Sequence, residues 1–346
     1  MHSIDKVPED RLSSAIASAR AAKERCKNAL HPVTRLLRAA KILRYPSLVR
    51  RLHVLRFLRK FVDRELCFFL SRPHYLSRYF RVWDRIHNAL LHYEHESRSF
   101  DSGYRAQVYS PNGLLLWKET KDGIDVSIRL VVTESNESRQ GIVYGWAFLE
   151  GDLSVILEVN GHEAGRMSYT VVDGATFGLA SLPTLFVTRN QLKRTPELEL
   201  FRRCYRHSSP QYFCLAAVAG IAMANGFRYI AAIRGKAQSA YRPQFDEQFQ
   251  NSYCKFWQQF GAKAIDRQAW LMPVPLDPPP ISAVTAKHRG RANDRRALWA
   301  AITCQAMSAI SAHRLEEPAS TGLMAWLPPM LWINSADMFC DFAQMI

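Results

Sequence analysis

Phe213 to Met223 is a run with no polar face, and it limits what this 346-residue chain can fold into. A helix that is apolar all round needs cover on every side, so it must lie between other elements. Ser208 and Ser209 offer hydroxyls to the first unpaired amides of such a helix, and Pro210 fits its first position, where no amide hydrogen is needed. Asn225-Gly226 ends it. Tyr229 to Ile233 then reads as a short buried strand. An irregular loop, an aromatic amphipathic helix and another short strand carry the chain to Asp266. From Tyr205 to Asp266 the sequence therefore predicts an α/β unit.

Upstream, the pattern from about Tyr104 to Val172 changes to strands. Leu114 to Lys118 and Asp125 to Thr133 alternate or run apolar about Lys121-Asp122-Gly123, which is a hairpin signal. Gly141 to Leu149, Ser154 to Asn160 and Arg166 to Val172 continue the series, with Glu150-Gly151-Asp152 as a turn. Consecutive strands joined by short turns mean an antiparallel sheet. Gly174 to Thr195 reads as less regular, and Leu198 to Tyr205 as a lead into the apolar helix. After Trp270 to Pro275 and the connector Asp277-Pro-Pro-Pro280, a basic helix is expected over Lys287 to Ser311. The fold class expected is α+β, with a basic helical region at 1–100, a core domain at 101–312 and an irregular tail at 313–346.

The sequence holds 46 Lys and Arg against 31 Asp and Glu, a formal charge of +15. Arg11 to Arg64 is helical in pattern and strongly basic, with apolar residues at three- and four-residue spacings. Such helices either lie on an anionic membrane surface or pack their apolar stripe on a core with a solvated basic face. No recognised nucleic-acid motif accompanies them, so nucleic acid is not the expected partner. Seven cysteines fall at 26, 67, 204, 214, 254, 304 and 340 without paired spacing, which argues against a zinc site or a disulfide scaffold and for a reducing compartment. With no signal-like start and no long uncharged apolar run, the expected location is cytoplasmic, at most peripheral to the inner membrane. His87, His92 and His95 lack a carboxylate or cysteine to complete a familiar ligand set, so no metal is expected.

The His92-Tyr93 pair, the Ser209-Pro210 helix start, and the Tyr-x-x-Phe-Trp-x-x-x-Gly pattern of Tyr253 to Gly261 resemble the VirK/YbjX family of Gram-negative bacteria. The resemblance covers roughly residues 40 to 312. Where many members carry Arg-Pro-Lys, this chain has Ser209-Pro210-Gln211. The family is associated with virulence, outer-envelope integrity and resistance to antimicrobial peptides, and it supplies no established catalytic residues. The element order is similar to a second group, the GNAT-type acyltransferases. There an antiparallel sheet precedes a capped helix, a strand, a helix ending in aromatic-x-x-x-Gly and a last strand, so the resemblance implies a GNAT-like mixed, largely antiparallel sheet flanked by helices.

That resemblance implies acyl-CoA as cofactor and an unknown small-molecule or lipid acceptor. Phosphates would sit at the helix start by Ser208, Ser209 and Gln211, with Arg206 adding charge and the helix end that carries Trp257 near the acyl-CoA thiol. Tyr253 or Tyr241 would serve as general acid to a leaving thiolate, and His207 or Glu158 would take a proton from the acceptor. Core packing is the favoured alternative for Tyr253 and Trp257, and simple helix capping for Ser208 and Ser209. Cys204 and Cys214 lie near His207 in sequence, which raises a thiol nucleophile as another arrangement. The competing class is a non-catalytic factor held at a membrane surface or binding a partner. No GxSxG, P-loop, dinucleotide fingerprint or HExxH motif is present.

Overall fold

The computed structural model describes residues 75–133, 151–192, 195–206 and 208–315. The expected basic helices at 11–64, the strand at 141–149, His207 and the tail beyond residue 315 lie outside the described residues. The helices are α1 (Val82–Ser99), α2 (Ser102–Val108), α3 (Pro196–Cys204), α4 (Pro210–Ala224), α5 and α6 (Arg289–Ser311). Helix α5 runs as α over Asp246–Gln250, π over Asn251–Lys255 and α over Phe256–Gln258. The strands are β1 (Leu114–Lys121), β2 (Ile124–Val132), β3 (Leu153–Val159), β4 (His162–Asp173), β5 (Pro183–Leu192), β6 (Tyr229–Ile233), β7 (Lys263–Ala264) and β8 (Ala269–Pro273).

These strands form one eight-stranded sheet in the order β1-β2-β3-β4-β5-β6-β8-β7. Every neighbouring pair is antiparallel except β5 and β6, which run parallel. Antiparallel neighbours need only tight turns. Asp122-Gly123 and Asn160-Gly161 supply two of them, with φ of 52° and 75° and of 50° and 80°. Positive φ at both central residues gives the mirror-image turn whose twist suits a hairpin. The parallel pair needs a crossover, and α3 and α4 provide it.

Helix α4 is buried nearly all round, as its sequence requires, between the sheet and α6. Two glycines permit this. A Cβ on Gly165 of β4 would lie 2.8 Å from Pro210 Cβ, and one on Gly220 would lie 2.9 Å from Ala306 Cβ, against the Thr303 backbone. Thr303 Oγ1 also donates to Ala216 O at 2.9 Å, tying the two helices. Each large apolar side chain enclosed here, such as Phe213, Leu215 or Ile302, contributes roughly 1.5–3 kcal/mol relative to exposure.

Helix α1 packs on β4, so residues from 82 onward belong with the sheet rather than with a separate basic region ending at 100. Strand β4 outruns β3 beyond the Leu153–Tyr169 pair. Side chains of α1 take up its bare edge: His92 Nδ1 accepts from Val171 N and Asn88 Oδ1 from Asp173 N. Three further expectations change. Ser102–Val108 is a helix where strands were expected, capped by Asp101, whose carboxylate accepts from Tyr104 N at 2.7 Å. The segment read as irregular holds β5. The lead into α4 is itself a helix, with Pro196 in its first turn.

Candidate functional site

Strands β5 and β6 pair at only three positions: Leu185 with Ile230, Phe186 with Ala231 and Val187 with Ala232. Beyond Val187 they part. A bulge on β5 leaves Thr188 between the Ser168–Arg189 and Tyr169–Val187 pairs, and a bulge bends its strand. On the other side β6 ends at Ile233, and the chain turns away through Gly235–Ala237. A strand edge without a strand partner must find other hydrogen bonds if it is buried.

It finds them in side chains. Tyr253 Oη accepts the Asn190 N–H at 3.3 Å, and Gln238 Nε2 donates to Thr188 O at 3.4 Å. Gln238 Nε2 also donates to Tyr253 Oη at 3.1 Å, while its Oε1 accepts from Ala240 N at 3.3 Å. Asn190 Nδ2 donates to Ser252 O at 3.0 Å. Asn190 Oδ1, on a side chain only 3% exposed, has no hydrogen-bond partner among the described residues. Thr188 O, Gln238, Tyr253 and Asn190 thus form a closed circuit across the gap.

Both Ser252 and Tyr253 fall in the π turn of α5. Such single turns carry an extra residue and recur at functional sites. The Tyr253 ring stacks on Phe249 at 5.6 Å, and Phe249 meets Tyr241 edge-on at 5.3 Å. Gly235 admits this arrangement, since a Cβ there would stand 3.1 Å from Phe249.

The start of α4 rests on β4, with Pro210 against Gly165, and meets α5 through Tyr212 and Phe256. Ser209 occupies the N-cap position in extended geometry, but its hydroxyl does not cap; it donates to Gln211 Oε1 at 3.4 Å. The Ser208 hydroxyl is buried and without a partner among the described residues. Arg206 is exposed. Tyr212 stacks on Phe256 and against Trp299, and its hydroxyl donates to Gln259 Oε1 at 2.6 Å. Burial raises the Tyr212 phenol above its ordinary value, and the nearby Arg295 charge partly offsets that.

The structure separates the expected site residues. Tyr253 lies at the gap itself. Tyr241 stands one aromatic ring away, its hydroxyl donating to Asp246 Oδ1 at 2.8 Å, and that bond raises its phenol above the ordinary value. A hydroxyl so engaged is a poor proton donor. Trp257 is wholly buried and its indole donates to Ile233 O at 3.1 Å, so it holds β6 from beneath and does not line a ligand surface. Glu158 is held in an ion pair with Arg129 at 3.0 Å. Burial raises the thiols of Cys204 and Cys214, which favours the unreactive protonated form.

The three histidines of α1 have structural partners. His87 meets Asp173, His92 accepts from Val171 N, and His95 Nε2 bonds Asn225 Oδ1 at 2.9 Å. Among the described residues no group of three His, Cys, Asp or Glu side chains could hold a metal ion. No helix among them is long and apolar enough to cross a membrane. Thr188, Asn190 and Gln238 went unrecognised in the sequence. Their partners lie across the fold, and no local pattern marks them.

No known family model matches the sequence, and no curated protein matches it. Solved structures that match include the cAMP-binding acyltransferase from Mycobacterium smegmatis, at 13% identity and a TM-score of 0.26, covering 56% of this chain and 55% of that one. Two point mutants of that enzyme match at 12% and 11% identity, with TM-scores of 0.27, over 67% and 71% of this chain. The matches span 63% and 65% of those two chains, less than two thirds of their length. At these TM-scores the likeness carries no argument about this chain.

Proposed function

We propose that the chain is a GNAT-like acyltransferase that takes its acyl group from an acyl-CoA and passes it to a small-molecule or lipid acceptor. The observation that carries this reading is the parting of β5 and β6, with β5 presenting a backbone donor and acceptor at Asn190 and Thr188. An extended amide-bearing chain such as pantetheine hydrogen-bonds to a strand edge as another strand would. The strand order, with one parallel pair bridged by α4 and antiparallel strands on either side, supports the same reading. The start of α4 adds backbone amides for the phosphates, with Arg206 and Arg295 nearby.

In this reading the acceptor's amine or hydroxyl attacks the thioester carbonyl, the tetrahedral adduct collapses, and the C–S bond breaks. Tyr253 gives its phenolic proton to the departing thiolate, and the proton lost by the attacking amine or hydroxyl passes to solvent, from which the phenolate is reprotonated. Two N–H groups, from Asn190 and Gln238, already point at the Tyr253 oxygen. The motifs of the VirK/YbjX resemblance fit the proposal as framework: Ser209-Pro210 opens α4, and Tyr253 to Gly261 spans the π turn and the end of α5. Envelope-related acceptors are therefore the first to try.

Calorimetry and thermal unfolding with acetyl-CoA and longer acyl-CoAs test the reading. A ligand that binds only the native state must raise the melting temperature. No rise at about a millimolar of any acyl-CoA sinks it.

A further inference from the structure

We propose that Tyr253 and Gln238 form an internal latch across the bare edge of β5, and that an amide-bearing ligand enters only when the latch is released. This rests on the acyl-CoA reading for the identity of the ligand, but not for the existence of the latch. The edge groups Asn190 N–H and Thr188 O are those a strand-like ligand would need, and both are already taken. The side chains that take them are bonded to each other as well, so the two contacts open together or not at all.

Two observations make release physically accessible. Tyr253 sits in a π turn, where the extra residue can be passed along the helix by exchanging hydrogen bonds with the flanking α segments. Such a shift moves Ser252 and Tyr253 off β5 without unfolding α5. Asn190 Oδ1 is buried and unpartnered in the latched state. A ligand amide N–H would satisfy it, so the open state gains a hydrogen bond that the closed state lacks. Release has a second effect. Once the ligand holds Asn190 N–H, the Tyr253 hydroxyl is free to turn to the thioester sulfur, so binding and arming of the acid are one event.

Coenzyme A, pantetheine and two variants of the full chain test this. Gln238→Met removes both amide donors at nearly constant volume, and Tyr253→Phe removes the shared oxygen while keeping the ring on Phe249. A latch reduces apparent affinity by the fraction of molecules in the open state, so either variant should bind coenzyme A about tenfold more tightly than wild type. Pantetheine, which lacks the nucleotide, should gain by the same factor. With acetyl-CoA, both variants should lower KM, and Tyr253→Phe should also lower kcat. Hydrogen exchange supplies a reading that needs no ligand: both variants should exchange faster over residues 188–192 and unchanged over 183–187. Unaltered exchange at 188–192, or weaker coenzyme A binding in both variants, overturns the latch. Faster exchange with no binding by any of the three proteins supports the latch and overturns the acyl-CoA reading. If Tyr253→Phe does not fold, Gln238→Met decides alone.

Discussion

His92 Nδ1 accepts the backbone N–H of Val171 at 3.2 Å, which puts the ring's proton on Nε2, facing Glu96 Oε2 at 3.8 Å. The histidine is wholly buried and stands in for a missing strand, because β3 stops opposite Tyr169 while β4 runs on to Asp173. Glu96 in turn accepts from the hydroxyls of Tyr104 and Tyr109. His92→Ala strands the Val171 amide and opens a cavity, so it should cost about 2–4 kcal/mol in urea unfolding. His92→Gln keeps an acceptor and should cost clearly less. Equal losses would mean that the hydrogen bond contributes nothing.

His95 gives the stability a pH dependence. Burial, first, lowers its pKa from 6.5 to about 4, with the neighbouring His92 and Arg314 acting the same way and the Asn225 hydrogen bond opposing them. Between those two values the unfolded chain binds a proton at His95 that the folded chain does not. Stability therefore rises with pH across that window and falls as pH drops from 6.5 towards 4, by about 3 kcal/mol in all. His95→Gln, which can still donate to Asn225 Oδ1, should flatten this part of the curve in denaturant titrations at several pH values. An unchanged slope would assign the acid loss to other groups.

The apolar helix, its end at Asn225-Gly226 and the strand Tyr229–Ile233 are legible in the sequence because each is fixed by local chemistry. Pro210 starts the helix, Gly226 adopts φ of 69° after it, and no polar face offers another placement. The hairpin at Asp122-Gly123 is legible for the same reason. Strand β5 is not. Its bulge at Thr188 breaks the alternation, and it is a strand because β4 and β6 flank it. Helix α2 has a readable cap, Asp101, that the strand pattern after it masks, and helix α3 has Thr195-Pro196 at its start, next to a stretch with no clear periodicity. The site depends on the least local signals of all: Asn190 and Tyr253 meet across 63 positions of sequence. Tyr253 stands in the sequence as a candidate general acid on an aromatic helix, but its hydrogen bond to Asn190 N–H is visible only in the fold.

Asp152 collects three hydroxyl donors in the interior: Tyr75 at 2.6 Å, Tyr93 at 3.0 Å and Thr170 at 2.7 Å. Hydrogen bonds to a charged acceptor are the stronger kind, worth about 1.5–3 kcal/mol each. Asp152→Asn turns one acceptor oxygen into a donor facing other donors, so about 3 kcal/mol should be lost. Tyr93→Phe removes one bond of the three and should lose about 1–2 kcal/mol. If the asparagine variant unfolds at the same denaturant concentration as wild type, the carboxylate charge is not what holds Tyr75 and Tyr93.

Three glycines should respond to alanine with different signs, because their surroundings differ. At Gly220 the new methyl meets the Thr303 backbone and Ala306 Cβ, and neither helix can bend away without disturbing the other. Gly220→Ala should therefore cost about 2–3 kcal/mol, as overpacking does. At Gly165 the clash is with Pro210 Cβ at 2.8 Å, and relief requires the start of α4 to lift off the sheet. A comparable loss is expected there, together with weaker coenzyme A binding if phosphates rest on that helix start. Gly290, in the first turn of α6, has no neighbour within 4 Å and no positive φ. Alanine there restricts the unfolded chain at no native cost, so Gly290→Ala should stabilise by about 0.4–1 kcal/mol. Thermal unfolding of the three variants reads all these signs at once. A neutral Gly220→Ala would contradict the packing of α6 against α4, and a destabilised Gly290→Ala would contradict the open surroundings of that glycine.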